Sequence, residues 1–513
     1  MASSAFRQAV NSFFTLRMKA NPLLSLVLAL LSPFVIPHSS FAAERLNLLY
    51  ITADDMNADS PGWMGGKMGA TPVLDTLAGT CHRFLNNHVT APICQPSREA
   101  MFTGRVPHRS GALGFNPVKP GTPTMVTVLK SAGYFTAAIN KTPHMKPEAE
   151  FPWDDKIEGS GKNPPLMREH FESVLKHAAE AKKPFFANVN IQYPHRPFPG
   201  SGAKDAEEGD SAKPKTNGEV PPRTAKKLAG AKAAGLARIY KPEEITVPNF
   251  LEDIPPVRTE LAQYWTAVAQ VDVCLRGVLE ALTASGHGKD TVVLFMSDHG
   301  MSFPFSKATV YFNGTHSPVI LKWPGMPAAA THEEFVSSVD IMPTLLDILG
   351  VAKPDGMDGR SWMPLLRGEK QDARDFVITH VNTVSSGMAL PQRCVRTKDW
   401  ALMFHAWPDG NAKFRVEAMS GITFKAIETA GQTDERIAGR VKQLRVGEPL
   451  MMFNEQTDSG ERGNLVTDAH YRAEVERLAA LLLAHMEKTE DPQTANFKKA
   501  LADWKEKNPK QKP

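Results

Sequence analysis

Cysteine is scarce in this chain: there are four among 513 residues, at positions 81, 94, 274 and 394. Four thiols are too few for a disulfide framework. Charge of one sign is scarce as well. The formal net charge is +4, and Arg7, Arg17 and Lys19 supply three of those charges in residues 1–43, which hold no acidic residue. The rest of the chain therefore carries only +1, which removes any bulk-charge case for a nucleic-acid partner. Internal repeats are absent. With 42% hydrophobic and 22% charged residues, the composition is neither membrane-like nor disordered. At this length the chain exceeds one typical domain and can bury a large core.

The apolar stretch Leu23–Ile36 follows the three basic residues and precedes Ser40-Phe41-Ala42-Ala43. That order reads as a secretory signal peptide over 1–43, with an uncleaved anchor as the alternative. It places the mature protein in the periplasm or outside the cell, with no membrane attachment after cleavage. Beyond it, "LNLLYIT" (46–52), "YFTAAIN" (134–140), "FFANVNI" (185–191), "TVVLFMS" (291–297) and "SPVILKW" (317–323) are short apolar runs. Such runs suit strands buried on both faces of a parallel sheet. Helix patterns alternate with them. "TPVLDTLAGTCHRF" (71–84) predicts a helix with Thr71 as cap, Pro72 in its first turn and Cys81 on its buried face. Residues 259–282 predict a longer helix that contains Cys274. The alternation points to an α/β domain with a largely parallel sheet.

Residues 200–241 break this rhythm with Gly, Ala, Lys and Pro, and 213–241 holds eight basic residues against one acidic. The run reads as a solvated insertion or as a basic flap over an anionic substrate. After about residue 370 the alternation fades. "RCVRTKDWALMFHA" predicts a strand or hairpin, and "YRAEVERLAALLLAHME" (471–487) predicts a helix that must pack on something. We place the main domain over 44–370, a smaller α+β domain over 371–490, and a basic, frayed tail over 491–513.

The residues just beyond the apolar runs carry the chemistry. Asp54-Asp55 succeed the first, Lys141 and His144 the second, His195 the third, and Asp298-His299-Gly300 the fourth. Each alone also reads blandly, as a turn, a loop histidine or a solvent-exposed lysine. In open α/β sheets, however, ligands bind outside the carboxyl ends of the strands. If these strands are neighbours, one rim collects three carboxylates, three histidines and a lysine. Carboxylates gathered so closely repel one another unless a cation sits among them. Oxygen-rich ligation favours calcium or magnesium, while the His299 nitrogen also admits zinc or manganese. A lysine and histidines facing that ion imply an anionic substrate, with sulfate and phosphate esters fitting best.

Residues 91–105 read "APICQPSREAMFTGR". Cys94, Pro96, Ser97 and Arg98, with Thr103-Gly104-Arg105 after them, resemble the signature of the type I sulfatases. In that family a maturation enzyme oxidises the cysteine to formylglycine. The resemblance covers about 46–370, with a weaker echo at "EPLMMFNEQTDSGERGNL". It implies an alkaline-phosphatase-like, largely parallel sheet sandwiched by helices, and a calcium ion held by Asp54, Asp55, Asp298, His299 and the modified residue 94, with magnesium the less favoured ion. Many members carry Asn where His299 stands. Lys141 and His144 resemble a Lys-x-His pair with one extra residue between them. His195 in "PHRPF" and Lys307 in "SFPFSKATVY" resemble the second histidine and the distal basic residue. "NKTPHMKPEAEFPWD" and "PFSKATVYFNGT" are similar to the heparan N-sulfatase subgroup, which usually has Arg where Lys307 stands.

The resemblance implies a mechanism. An aldehyde hydrate offers two hydroxyls on one carbon: one attacks sulfur, and deprotonation of the other then expels sulfate. The metal polarises the sulfate, and Asp298 accepts the proton of the attacking hydroxyl. Lys141 and Lys307 neutralise the sulfate oxygens, His195 or Lys307 protonates the leaving group, His144 is the base for release, and Arg98 holds the diol. The function expected is hydrolysis of sulfate from a sulfated glycan, with N-sulfoglucosamine favoured over an O-sulfate. A phosphodiesterase or phosphonate hydrolase of the same superfamily is the rival enzyme. A silent glycan-binding protein is the rival from another class, and it would be expected to have lost ligand positions that are all present here.

Overall fold

Polar strand ends and apolar strand middles dictate the architecture. In the computed structural model of the protein, which describes residues 45–201, 236–408 and 414–509, the apolar runs become strands of one large sheet. Its strands are β1 (Asn47–Asp54), β2 (His82–His88), β3 (Phe135–Ile139), β4 (Asp155–Ile157), β5 (Phe185–Pro194), β6 (Thr291–Ser297), β7 (Val319–Lys322) and β8 (Thr331–Ser337). The order across the sheet is β4-β3-β5-β1-β6-β7-β2-β8. The segment β4-β3-β5-β1-β6 is parallel throughout. The run 317–323 departs from the parallel expectation, since β7 lies antiparallel to both β6 and β2.

Both faces of the sheet are covered, which is why its strands read as unbroken apolar runs. Along β1, Leu49, Ile51 and Ala53 enter one core with the long helix Pro255–Ala284 and the helix Pro164–Ala181. Leu48 and Tyr50 enter the opposite core with the helices Met125–Ser131 and Ile341–Ile348. The alternation arises from the two-residue repeat of a strand.

A second sheet is antiparallel, with β9 (Phe376–Thr383), β10 (Ala389–Thr397), β11 (Trp400–His405) and β12 (Leu450–Asn454) in the order β12-β11-β10-β9. One face sends Val381, Met403 and Phe453 into the core shared with the long helix. The other sends Val395, Leu402 and Met452 against the helices Arg472–Lys488 and Thr494–Lys507. The α/β reading with a smaller C-terminal α+β part therefore holds.

Two local expectations do not. The helix expected over 71–84 ends at Ala78, and His82 opens β2 instead. Thr71 does not cap it: the Asp272 carboxylate, from the long helix, accepts the amides of Val73 and Leu74 at 2.9–3.0 Å. Cys81 is still buried core. The frayed tail is likewise corrected, because residues 494–507 form a helix that buries Phe497 and Trp504, and Trp504 Nε1 donates to the Val466 carbonyl at 2.7 Å. Of the basic insertion, residues 202–235 lie outside the described residues, as does the leader expected over 1–43. Its end is packed: Tyr240 is buried under the Arg238 guanidinium and donates to the Met68 carbonyl at 2.8 Å. Among the described residues no helix is long and apolar enough to cross a membrane.

Candidate active site

Parallel strands point their carboxyl ends the same way, so β3, β5, β1 and β6 deliver Lys141, His195, Asp54-Asp55 and Asp298-His299 to one rim. Turning off a strand at once takes unusual backbone: Asp55, Asn140 and Lys141 have φ of 67°, 61° and 58°. Such left-handed conformations cost about 1 kcal/mol or more each for residues other than glycine. Gly300 is needed for a different reason. A Cβ there would lie 1.7 Å from the Asn313 carbonyl oxygen, so only glycine lets the chain after His299 pass.

Cys94 opens the helix Cys94–Thr103, every residue of which is buried. Its Sγ lies 3.6 Å from Asp54 Oδ1 and 3.2 Å from His299 Nε2. Ligand atoms of Asp54, Asp55, Cys94 and His299 all fall within 4.8 Å of one another. Asp298 joins them through its Oδ1, which accepts the Asp55 amide at 3.1 Å, and its main chain is held by Ser97 Oγ, which donates to its carbonyl at 2.6 Å. His299 Nδ1 is 3.5 Å from Asp55 Oδ1. This donor set, rich in carboxylate oxygen with one imidazole, fits a single divalent ion.

Three cations face the three carboxylates. Arg98 reaches Asp298 Oδ2 at 2.8 Å and Asp54 Oδ1 at 3.8 Å. Lys141 Nζ is 2.8 Å from Asp54 Oδ2, and Lys307 Nζ is 3.0 Å from Asp55 Oδ1. Burial would raise the Asp54 carboxyl, but Lys141, His195, Arg98 and Lys307 overcome it and hold Asp54 well below the usual carboxylate range. Asp55 goes the other way: burial outweighs Lys307 and His299 and pushes it up to about 7. Burial would lower Lys307, yet Asp55, Cys94 and Glu417 keep its ammonium firmly protonated. Burial also pushes the Cys94 thiol well above its ordinary range, so as a thiol it stays neutral and weakly nucleophilic.

His195 comes directly after β5, with Nδ1 2.5 Å from the Arg196 carbonyl and Nε2 turned toward Glu417 at 3.8 Å. Burial and then Lys307 lower it to about 4. His144 is buried in the turn Thr142–His144, its ring edge-on to Phe115.

Three residues of this neighbourhood escaped the sequence reading. Thr52 Oγ1 accepts from Arg98 at 3.0 Å, and Asn190 Oδ1 accepts from both Arg98 and Thr52. Their signal was present, as polar residues inside the apolar runs "LNLLYIT" and "FFANVNI" that a buried strand tolerates only when hydrogen-bonded. Glu417 had no such signal. It comes from beyond β11, and its Oε2 sits 3.1 Å from Lys307 Nζ.

With this geometry in hand, kinship can be read from the whole chain. The sulfatase family model matches residues 46–351, and the model for the C-terminal part of N-sulphoglucosamine sulphohydrolase matches 298–412. The chain is 27% identical over 497 residues to human N-sulphoglucosamine sulphohydrolase, covering 88% of this chain and 91% of the relative. Its fold is similar to that of a protein solved with its substrate D-glucosamine-2-N,6-O-disulfate, with a TM-score of 0.64 at 19% identity over 88% of this chain and 99% of the other. It is also similar to the phosphonate monoester hydrolase of Silicibacter pomeroyi, with a TM-score of 0.59 at 19% identity over 87% and 96%. The chain belongs to the sulfatase family and is a hydrolase of sulfate esters or sulfamates.

Proposed function

We propose that this protein is an exported sulfatase that removes sulfate from a sulfated glycan, with N-sulfoglucosamine as its preferred unit. The observation that carries the reading is the convergence of Cys94, Asp54, Asp55 and His299 within 4.8 Å, ringed by Arg98, Lys141 and Lys307. The N-sulfate preference draws support from the C-terminal match over 298–412. The leader over 1–43 takes the chain to the periplasm or the exterior. Residues 44–370 form the catalytic domain, and those from 371 onward the smaller one.

Cys94 is the residue to be converted to formylglycine by a maturation enzyme; its hydrate would supply one hydroxyl as the nucleophile toward sulfur and a second whose deprotonation would release sulfate. Asp54, Asp55, Asp298, His299 and residue 94 would hold a calcium ion, which would supply polarisation of the sulfate oxygens. The chain's own groups do the rest. Arg98 is anchored by Thr52, Asn190 and Asp298, and so fixes the Asp298 carboxylate beside residue 94 to take up a proton. The helix Cys94–Thr103 adds its positive N-terminal end, which favours an anion at residue 94. Lys141 and Lys307 present permanent positive charge to the sulfate oxygens as negative charge develops. His195, whose Nε2 is turned toward Glu417, donates to the leaving amine or alcohol, while His144 takes the proton that frees sulfate.

The test is sulfate release from N-sulfoglucosamine, 6-O-sulfoglucosamine and p-nitrophenyl sulfate, alongside a phosphodiester. Release from the N-sulfated sugar is expected to exceed the others. Preference for the 6-O-sulfate would make the protein a glycan O-sulfatase, and phosphodiester cleavage without sulfate release would assign it to the phosphonate hydrolase branch that shares its fold.

A further inference from the structure

A second cluster of nitrogen and oxygen ligands is buried where the C-terminal sheet meets the segment after the Cys94 helix. His108 lies on the short helix Pro107–Ser110, His380 on β9, and Asp491 in the turn between the helices Arg472–Lys488 and Thr494–Lys507. Asp491 Oδ2 is 3.8 Å from His108 Nδ1 and 3.9 Å from His380 Nδ1. One ligand atom from each of the three residues lies within 4.8 Å of the others. His380 is 0% exposed, Asp491 3%, and the His108 side chain 3%.

Hydrogen bonds decide where the ring protons are. His108 Nε2 lies 3.0 Å from the Thr489 carbonyl, which can only accept, so in the neutral ring the proton is on Nε2 and Nδ1 bears a lone pair. His380 Nε2 is 3.2 Å from His485 Nε2. If His485 donated, His380 would carry its proton on Nδ1, which is buried with no hydrogen-bond partner. Donation by His380 leaves no orphaned N–H and makes its Nδ1 a lone pair too. Two imidazole lone pairs and a carboxylate oxygen then face one point, buried and without a hydrogen-bond donor at either Nδ1. The outer hydrogen bonds from Nε2 are the kind that orient metal-binding histidines.

We propose that His108 Nδ1, His380 Nδ1 and Asp491 bind one zinc ion, which ties the segment after the Cys94 helix to β9 and the last two helices. Two nitrogens and one oxygen suit zinc, whose ligand bonds of about 2.0–2.2 Å match a centre among atoms this close. The groups are held in the ligating form: burial lowers both histidines, and Arg393 outweighs burial to keep Asp491 ionised. Arg393 holds both oxygens of that carboxylate, with Nε 2.5 Å from the same Oδ2 that faces the histidines and Nη2 2.9 Å from Oδ1. Its positive charge opposes the cation, so binding is weaker than in a site made only of neutral and anionic ligands.

Full-length protein saturated with calcium is dialysed against zinc, and retained metal is measured by mass spectrometry with unfolding followed by heat. About one equivalent of zinc and a raised Tm are expected for the natural chain and for Asp54→Asn, which spares this cluster. His380→Gln and His108→Gln, each checked for folding by circular dichroism, are expected to weaken zinc retention by at least about tenfold and to abolish the Tm rise. Cobalt in place of zinc is expected to show visible absorption in the natural chain and in neither histidine variant. Zinc lost in Asp54→Asn but kept in the histidine variants, or no zinc retained by the natural chain, overturns the proposal.

Discussion

Replacing Lys307 by methionine tests the charge balance of the catalytic cluster most directly. The ammonium sits between two carboxylates, 3.0 Å from Asp55 and 3.1 Å from Glu417, and only 4% of the residue is exposed. At an effective dielectric constant of about 20, a unit pair 3 Å apart is worth roughly 5 kcal/mol. Part of that is returned, because burying the lysine itself was costly. The net loss expected is about 3–5 kcal/mol in calcium-free protein at a pH well above 7, where Asp55 is ionised, the cost of leaving a buried carboxylate without its partner. Calcium bound as proposed beside Asp55 would replace much of the missing charge, so the loss is expected to shrink markedly when the metal is saturating. Denaturant unfolding with and without calcium measures both. For the reaction, losing one preorganised positive group costs about 10²–10³ in rate. Because Lys307 keeps its proton throughout the working pH range, the role proposed for it is charge rather than proton donation. The same loss is therefore expected on p-nitrophenyl sulfate and on a sugar sulfate. A loss confined to the sugar would make Lys307 the proton donor. An unchanged rate on both, or a destabilisation indifferent to calcium, would refute the reasoning.

The same geometry yields other outcomes. His195→Gln is expected to cost about 10²–10⁴ on a sugar sulfate and far less on p-nitrophenyl sulfate, whose leaving group needs no proton. His195 titrates at about 4, so at saturating calcium kcat/KM on the sugar is expected to fall as pH rises above that value. A flat profile would remove His195 as donor. Asp55 titrates at about 7 in the metal-free chain, so calcium must displace a proton below that pH. Affinity by calorimetry is expected to rise toward pH 7 and level off above it, and equal affinity at about pH 5 and pH 8 would contradict the assignment. Mass spectrometry of the peptide spanning residue 94 is expected to show formylglycine, and an unmodified cysteine in active protein would end that mechanism. Asp272→Asn removes the charge that caps the helix Pro72–Ala78 and is expected to cost about 1 kcal/mol by thermal unfolding with sulfate release unchanged.

Much of this protein was legible along the chain because its chemistry is punctuated locally. An apolar run that ends at once in Asp, Lys or His is visible without coordinates, and "CQPSREAMFTGR" is contiguous because its residues share one helix and the turn that ends it. The long helix and the C-terminal hairpin were legible for the same reason, since periodicity acts over neighbouring residues. The sequence could not say that β7 runs antiparallel, that the helix after Thr71 stops at Ala78, or that Asp272 caps it from 198 residues away. Nor could it place Glu417 against Lys307, or His108 and His380 around Asp491. Those are meetings between distant segments, settled by which faces the cores bury and how the two sheets dock. Pattern along a chain encodes burial, but not the partner that provides it.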